Sequence, residues 1–502
     1  MHDERVYMNT SAHTGRTAPG SFAPVERTAA SVAAQTGLSD PDNLAADPAA
    51  IAAEIKNALP LYTNLSKIHS IDPCYYSAYD VKRGLRNADG TGVVVGVTNI
   101  SNVHGYVVSE GDKIPDEGRL SYRGYSINDL VDHVVEEGRF GFEETAYLLM
   151  AGELPTAEQL TSFRTLLDAA RNLPDGFTAN YIMKPPTRDI MNAMARSVLQ
   201  LYAFDPHAED RTLEHEVDAA IMLLSRLPRI MVLSYHVMRD KFFGDSMFIH
   251  HYIPGQTTAE TILSMLRPDR AYTSEEAHLL DLMLMLHAEH GGGNNSTFTC
   301  RCLTSADTDP YSAYAGAIGS LKGARHGGAN NRTLNMTDDI KEHVADITDE
   351  GQVADYLRKI VRKEAYDRTG LIYGMGHAVY TKSDPRAKLC HKYAERVVAG
   401  TEFEADFRLL EIIERLAPVL LAEAGKSKDI CANVDLYSGC VYTALGIPRD
   451  LLTPIFACAR MAGWSAHRFE EIVSSKRIMR PAYKKTGHAR DYVPMEQRQS
   501  GN

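Results

Sequence analysis

The run TSEEAHLLDLMLMLHAEHGGG, residues 273–293, limits the fold more than any other stretch. Thr273 and Glu276 have the spacing of a capping box, so a helix starts there. From Leu279 to Leu286 almost every position is apolar, which leaves no polar face for water. Such a helix belongs in the centre of a core. It reaches His287, Glu289 and His290 and then breaks at Gly291, Gly292 and Gly293. A buried helix end has spare backbone donors and acceptors and imposes a field on a nearby imidazole. That combination suits binding of a small anion.

A second break of the same kind follows at GARHGGAN, residues 323–330, and puts His326 beside a helix terminus. The helix before it starts at Asp309-Pro310, an N-cap with proline at the first helical position. Ala313, Ala315, Gly316, Ala317 and Gly319 let that helix pack closely on another. From 156 to 330 the pattern is nearly all helical. Thr156 with Gln159 forms another capping box. The helix upstream buries Phe142, Tyr147, Leu148 and Met150, stops at Gly152 and is blocked by Pro155. Residues 92–110 are β-branched and broken by Gly and Asn, which predicts a hairpin or two. Residues 336–430 are more charged and read as amphipathic helices of a smaller domain. Residues 431–474 are apolar again, and RIMRPAYKKTGHARDYVP (477–494) reads as a basic, extended tail lying on something such as a partner subunit.

A chain of 502 residues exceeds one ordinary core, so two domains are expected. Residues 1 to about 55 are rich in Ala, Thr, Ser and Pro and read as a flexible tail, with a short docking helix in DPAAIAAEIKNAL. With 44% apolar and 24% charged residues the chain is an ordinary globular one, and a net charge of −12 argues against a nucleic-acid binder. Seven scattered cysteines, of which Cys300 and Cys302 lack a second pair at zinc-ligand spacing, read as reduced thiols in the cytoplasm. No segment has the apolar length of a membrane span or a signal core, and Asp3 and Glu4 disfavour a transit peptide.

The chemistry concentrates in His287-Ala-Glu-His290, Arg325-His326-Gly-Gly, Gly374-Met-Gly376-His377 with Ser383-Asp-Pro-Arg386, and Asn433-Val-Asp435. Each sets an ionisable side chain beside glycine or at an element boundary, where backbone can approach a ligand. Each also has a plain structural reading. His287 and His290 could cap a helix or be two metal ligands without a third. His326 could be a turn histidine and Asp435 an N-cap. A Gly-X-Gly-His loop is harder to explain without a ligand.

At these residues the chain resembles the citrate synthases. LHAEHGGGNNST and GARHGGANNRTLNM resemble the two histidine segments, and GMGHAVYTKSDPRAK the signature loop. NVDLYSGCVYTALGIP with FACARMAGWSAH resembles the aspartate and arginine segments. The resemblance covers roughly residues 80–490, GRLSYRGYSINDL and AYLLMAGELPT included. Departures are Met375, the three glycines after His290 and a long N-terminal extension.

The resemblance implies an all-α, two-domain citrate synthase-like helical fold with a minor β-hairpin near the N-terminus. It divides the chain into a flexible extension (1–60), a large domain (61–334 and 446–502, with the basic tail) and a small domain (335–445). It implies an acyltransferase of the tricarboxylic acid cycle that joins acetyl-CoA to oxaloacetate and hydrolyses citryl-CoA. Asp435 would take the methyl proton, neutral His326 would hydrogen-bond the thioester oxygen, and His377 would polarise the ketone. His290, Arg386, Arg460 and, from a partner subunit in a homodimer, Arg480 would hold oxaloacetate, a dianion that suits bidentate arginine. CoA would lie against Gly374 and Gly376 with Lys382 near its phosphates. No metal or other cofactor is implied. Methylcitrate synthase, using propionyl-CoA, is the alternative within this chemistry. A metal-dependent hydrolase built on the HxxH pair and a helical scaffold without catalysis are remoter ones.

Overall fold

The computed structural model describes residues 64–425 and 429–498. The expected extension at 1–60 and its docking helix lie outside the described residues. The described residues form two units, 64–83 with 484–498, and 84–483. In the first, Leu65–Ile68 and Cys74–Ala78 are short helices, and Tyr75 stacks on Tyr79. Its C-terminal part has no helix or strand before a single turn at Met495–Gln497.

The second unit opens with an antiparallel sheet of β1 (Ser101–Ser109), β2 (Asp112–Tyr122) and the short β3 (Tyr125–Ser126). The hairpin therefore lies further along than the 92–110 expected. Strands need a partner, and the turn residues Glu110 (φ 55°) and Gly111 (φ 91°) pair residues 101–109 with residues 112–122. The valine run at 93–97 finds no partner strand, and Val94 and Val97 are exposed.

Helices build the rest. First come α1 (Ile127–Glu136), α2 (Phe142–Ala151), α3 (Ala157–Ala170), α4 (Ile190–Leu201) and α5 (Leu213–Phe243). Beyond them lie α6 (Thr258–Leu266), α7 (Ser274–His287), α8 (Asn295–Thr304) and α9 (Pro310–Lys322). The boundaries follow the caps read from the sequence. Thr156/Gln159 and Thr273/Glu276 form complete capping boxes, Asp309 caps α9, and Gly152 ends α2 at φ 96°. The all-apolar α7 is buried throughout its last nine residues, Leu279 to His287. It packs on α6 and on α15 (Leu452–Glu470), which is enclosed in turn by α2, α5, α8 and α9. The tight packing expected of the small-residue helix occurs at Gly316 of α9, where a Cβ would lie 2.3 Å from a methyl of Leu303.

Residues 329–444 supply α10 (Ala329–His343), α11 (Glu350–Val361), α12 (Pro385–Val398), α13 (Glu404–Glu423) and α14 (Val434–Ala444). Among these, α12 and α10 pack on α14, while α12 also meets α7, α1 and β2. All seven cysteines carry free thiols. Among the described residues no helix is long and apolar enough to cross a membrane.

One ion pair locks α15 to α5. Arg468 donates from Nε and Nη2 to the Glu216 carboxylate at 2.6 Å each, with both side chains buried. Removing one partner strands the other charge in the core. Arg468→Ala is therefore expected to cost about 3–5 kcal/mol in a denaturant titration.

Candidate active site

The site forms where the C-terminal end of α7 meets α15. The last carbonyls of a helix lack intrahelical partners, and α15 supplies them. Arg460 Nε donates to the His287 carbonyl at 2.6 Å, and Gly463 N to that of Ala288 at 3.2 Å. Glycine is needed at 463, because a Cβ would sit 2.3 Å from Glu289 Oε2. Glu289 is buried and accepts from Ser101 Oγ (2.9 Å) and pairs with His467 Nε2 (3.0 Å). Burial alone would raise its carboxyl, but His467 and Arg460 bring it down to about 2, so it is an anion under the site. The chain then turns at Gly291 (φ 87°), leaving His290 buried with Nε2 3.1 Å from Tyr380 Oη.

The loop carrying His377 is held to the start of α14. Gly376 N donates to the Cys431 carbonyl (2.7 Å), Asn433 N to that of Gly374 (2.9 Å), and Asn433 Nδ2 to that of Gly376 (2.8 Å). Gly374 (φ 81°) and Gly376 (φ 91°) supply backbone angles that side chains resist. A Cβ on Gly374 would also come within 2.9 Å of Leu436 Cα. Met375, the departure from the family pattern, bridges to Ala432. This tie brings His377 and Asp435 to one place. His377 in turn meets the His290 ring edge-on at 5.0 Å and stacks on Tyr380 at 4.6 Å.

Hydrogen bonds from the main chain fix both imidazole tautomers. A backbone N–H can only donate, so the ring nitrogen facing it carries no proton. His377 Nδ1 accepts from Val379 N and Tyr380 N at 3.1 Å each, which leaves Nε2–H as its donor. His326 Nε2 accepts from Ser296 N at 3.3 Å, which leaves Nδ1–H. Burial brings both rings down to about 4, with Arg386 adding to the effect on His377 and Arg460 to that on His326. Both are therefore neutral donors at neutral pH.

Asp435 lies in the first turn of α14, whose N-cap is Asn433. The alternative of Asp435 as the cap itself is thereby excluded. Among the described residues its carboxylate has no hydrogen bond. Burial lifts it to about 6 against the pull of Arg386 and Arg460. Arg386 is buried at the start of α12 and grips Asp384 with Nε (3.1 Å) and Nη2 (2.7 Å), leaving Nη1. Arg460 is fully buried, and its Nη1 and Nη2 have no partner. One carboxylate able to ionise, two neutral N–H donors and two guanidinium groups with unused hydrogens thus converge. That set can take a proton from carbon, stabilise two oxygens and hold a dianion.

A model of the citrate synthase C-terminal domain matches residues 87–482. The chain belongs to the citrate synthase family. These enzymes are acyltransferases that form carbon–carbon bonds. A citrate synthase of Acidithiobacillus ferridurans is 36% identical over 421 residues, 81% of this chain and 97% of the relative. 2-Methylcitrate synthase 1 of Corynebacterium glutamicum is 32% identical over 423 residues, covering 83% and 98%. Among solved structures, the citrate synthase of Thermoplasma acidophilum in complex with carboxymethyl coenzyme A and oxaloacetate is similar with a TM-score of 0.69. It is 25% identical, with 83% of this chain and 99% of that one covered.

The citrate synthase-like site gathers His290, His326, Gly374, Gly376, His377, Arg386, Asp435 and Arg460. The remaining two are Lys382 and Arg480, the latter expected to act from a partner subunit. Lys382 is exposed, and no hydrogen bond or ion pair among the described residues holds exposed Arg480. His287 is a core residue, 4.3 Å from the Phe456 ring and neutral through burial. Among the described residues no group of three His, Cys, Asp or Glu side chains could hold a metal ion. Sequence reasoning missed Ser296, Tyr380, Asp384, Glu289 and His467 as supports. Tyr380 and Asp384 were within reach, since they sit inside the signature loop, and Glu289 lies between the two histidines. His467 had no local signal, since only folding brings it to Glu289.

Proposed function

We propose that the protein condenses acetyl-CoA with oxaloacetate and hydrolyses the product to citrate and CoA. The observation that carries this reading is the carboxylate lifted to about 6 beside two neutral imidazoles with fixed tautomers. Asp435 takes a methyl proton from the thioester as His326 Nδ1–H passes its proton to the thioester oxygen, so an enol forms without a free enolate. The enol carbon attacks the ketone of oxaloacetate while the enol proton returns to His326, and His377 Nε2–H gives its proton to the developing alkoxide. Water then gives a proton back to His377 and adds to the thioester, and CoA leaves with the proton held by Asp435. Arg386 Nη1, Arg460 and His290 hold oxaloacetate, and the partner's Arg480 completes the clamp in a homodimer, which suits its exposure on an extended segment. CoA runs past Gly374 and Gly376, with Lys382 free to reach a phosphate.

We further infer that residues 335–445 move as the small domain against the remainder of 84–483. Since α10 runs unbroken from 329 to 343, the bending falls at its ends rather than at 335. Closure after oxaloacetate binding would exclude water from the enol. The second reading, methylcitrate synthesis from propionyl-CoA, is favoured by relatives of both names at similar identity. An extra methylene changes discrimination by only about 1–3 kcal/mol, so substrate competition has to decide. The expected result is oxaloacetate-dependent thiol release with kcat/KM higher for acetyl-CoA. A preference for propionyl-CoA would favour the second reading, and no release with either would sink both.

A further inference from the structure

Residues 379–383 join His377 to Arg386 and have no helix or strand of their own, so their position is set by what they rest on. They rest on the β1–β2 hairpin at distances that exclude side chains. A Cβ on Gly118 would fall 1.9 Å from the Ser383 carbonyl oxygen. One on Gly105 would fall 2.6 Å from Tyr380 Cα and from the Val379 carbonyl oxygen. Neither glycine has a positive φ, so space rather than turn geometry calls for glycine here. Gly105 sits where the strand register slips between His104 and Tyr106, and His104 Nε2 meets Asp116 Oδ2 at 2.6 Å across the irregularity.

The polar contacts are as specific. Buried Thr381 donates Oγ1–H to the Gly105 carbonyl and lies 3.3 Å from that of Asp116. Gly118 N donates to Ser383 Oγ at 3.1 Å, and Ser383 donates in turn to Glu117, which Lys388 of α12 also reaches at 3.2 Å. We propose that the hairpin is the seat that aims His377 and Arg386 at oxaloacetate, with Thr381 and Ser383 as its positioning residues. The inference rests on the oxaloacetate-facing roles given to those two groups above.

The test is steady-state kinetics on Thr381→Val, Ser383→Ala and Gly118→Ala, with Thr381→Ser as the conservative variant. Loss of one seating hydrogen bond should raise the oxaloacetate KM and lower kcat, for a roughly 10-fold fall in kcat/KM. Gly118→Ala should cost about 100-fold, the scale of a 1 Å misplacement. The acetyl-CoA KM should stay within about twofold of wild type, and Thr381→Ser should restore wild-type values. A merely structural role would instead reduce the active fraction and leave the oxaloacetate KM alone. That result, or wild-type kinetics in folded Thr381→Val and Ser383→Ala, would overturn the proposal. Those two variants carry the test even if Gly118→Ala does not fold. Failure of the functional reading would look different, as a wild-type chain releasing no CoA. Amide exchange of residues 379–386 then decides, faster in Thr381→Val if the seat is real and unchanged if it is not.

Discussion

Asp435→Asn folds, becomes more stable than wild type above pH 6, and loses oxaloacetate-dependent CoA release by roughly 10³-fold, the scale of a positioned general base. The two effects share one cause. Burial holds the Asp435 carboxyl at about 6 against an ordinary 3.8, so folding disfavours its ionised form. Any stability the group offers is present below its ordinary value and is lost as pH climbs through 6. Two pKa units correspond to about 3 kcal/mol, and partial exposure reduces the expected gain to about 1–2 kcal/mol. Denaturation midpoints of variant and wild type should therefore agree at pH 4 and separate in the variant's favour at pH 8. In wild type, kcat/KM should fall about tenfold per unit below pH 6, because it reports the free enzyme and only the ionised carboxylate accepts a proton. His326 and His377, both at about 4, stay neutral through that window and do not blur the limb. Equal midpoints at pH 8 together with a flat kcat/KM between pH 5 and 7 would remove Asp435 from the role of base.

The sequence carried the fold where local chemistry decides it. Capping boxes at Thr156 and Thr273, Asp309-Pro310 and the αL glycine at 152 act within a few residues, and each marks an observed boundary. The hairpin was harder, because strand pairing is non-local. Three consecutive valines at 93–95 read as a strand, yet the turn at Glu110-Gly111 pairs a different run. The same division runs through the site. Motif matching reaches His326, His377 and Asp435 because each sits beside glycine or a helix start. What ties them together is long-range: the hold of 374–376 on 431–433, the Ser296 amide on His326, and the buried Glu289–His467 pair. Spacing gives no hint of these, since the partners are tens to hundreds of residues apart.

Arg460→Met is expected to raise the thermal midpoint of the free protein and to abolish the further rise that oxaloacetate gives wild type. Arg460 is fully buried, and only its Nε is hydrogen-bonded. Burial lowers it to about 10, so at neutral pH it stays charged at a cost to folding. The nearby Glu289 offsets part of that cost but makes no hydrogen bond to Nη1 or Nη2. Methionine has a similar length and an apolar thioether, which suits the Phe456 ring now under the guanidinium at 4.6 Å. The Nε bond to His287 is forfeited and its buried carbonyl left unpaired, about 1–3 kcal/mol, against about 3 kcal/mol recovered by not burying the charge. Replacing a buried charge by an apolar side chain of like volume is commonly stabilising for this reason. A carboxylate of oxaloacetate would give Nη1 and Nη2 the partners they lack, and ligand at about 100 times its Kd stabilises by about 2.7 kcal/mol. Without the guanidinium, oxaloacetate affinity should fall at least about 100-fold, the loss of a charge-assisted bidentate pair. Thermal scans of both proteins with and without oxaloacetate test this directly. A variant that melts lower when free, yet still gains the full oxaloacetate shift, would make Arg460 a structural cation and leave the substrate clamp to Arg386 and His290.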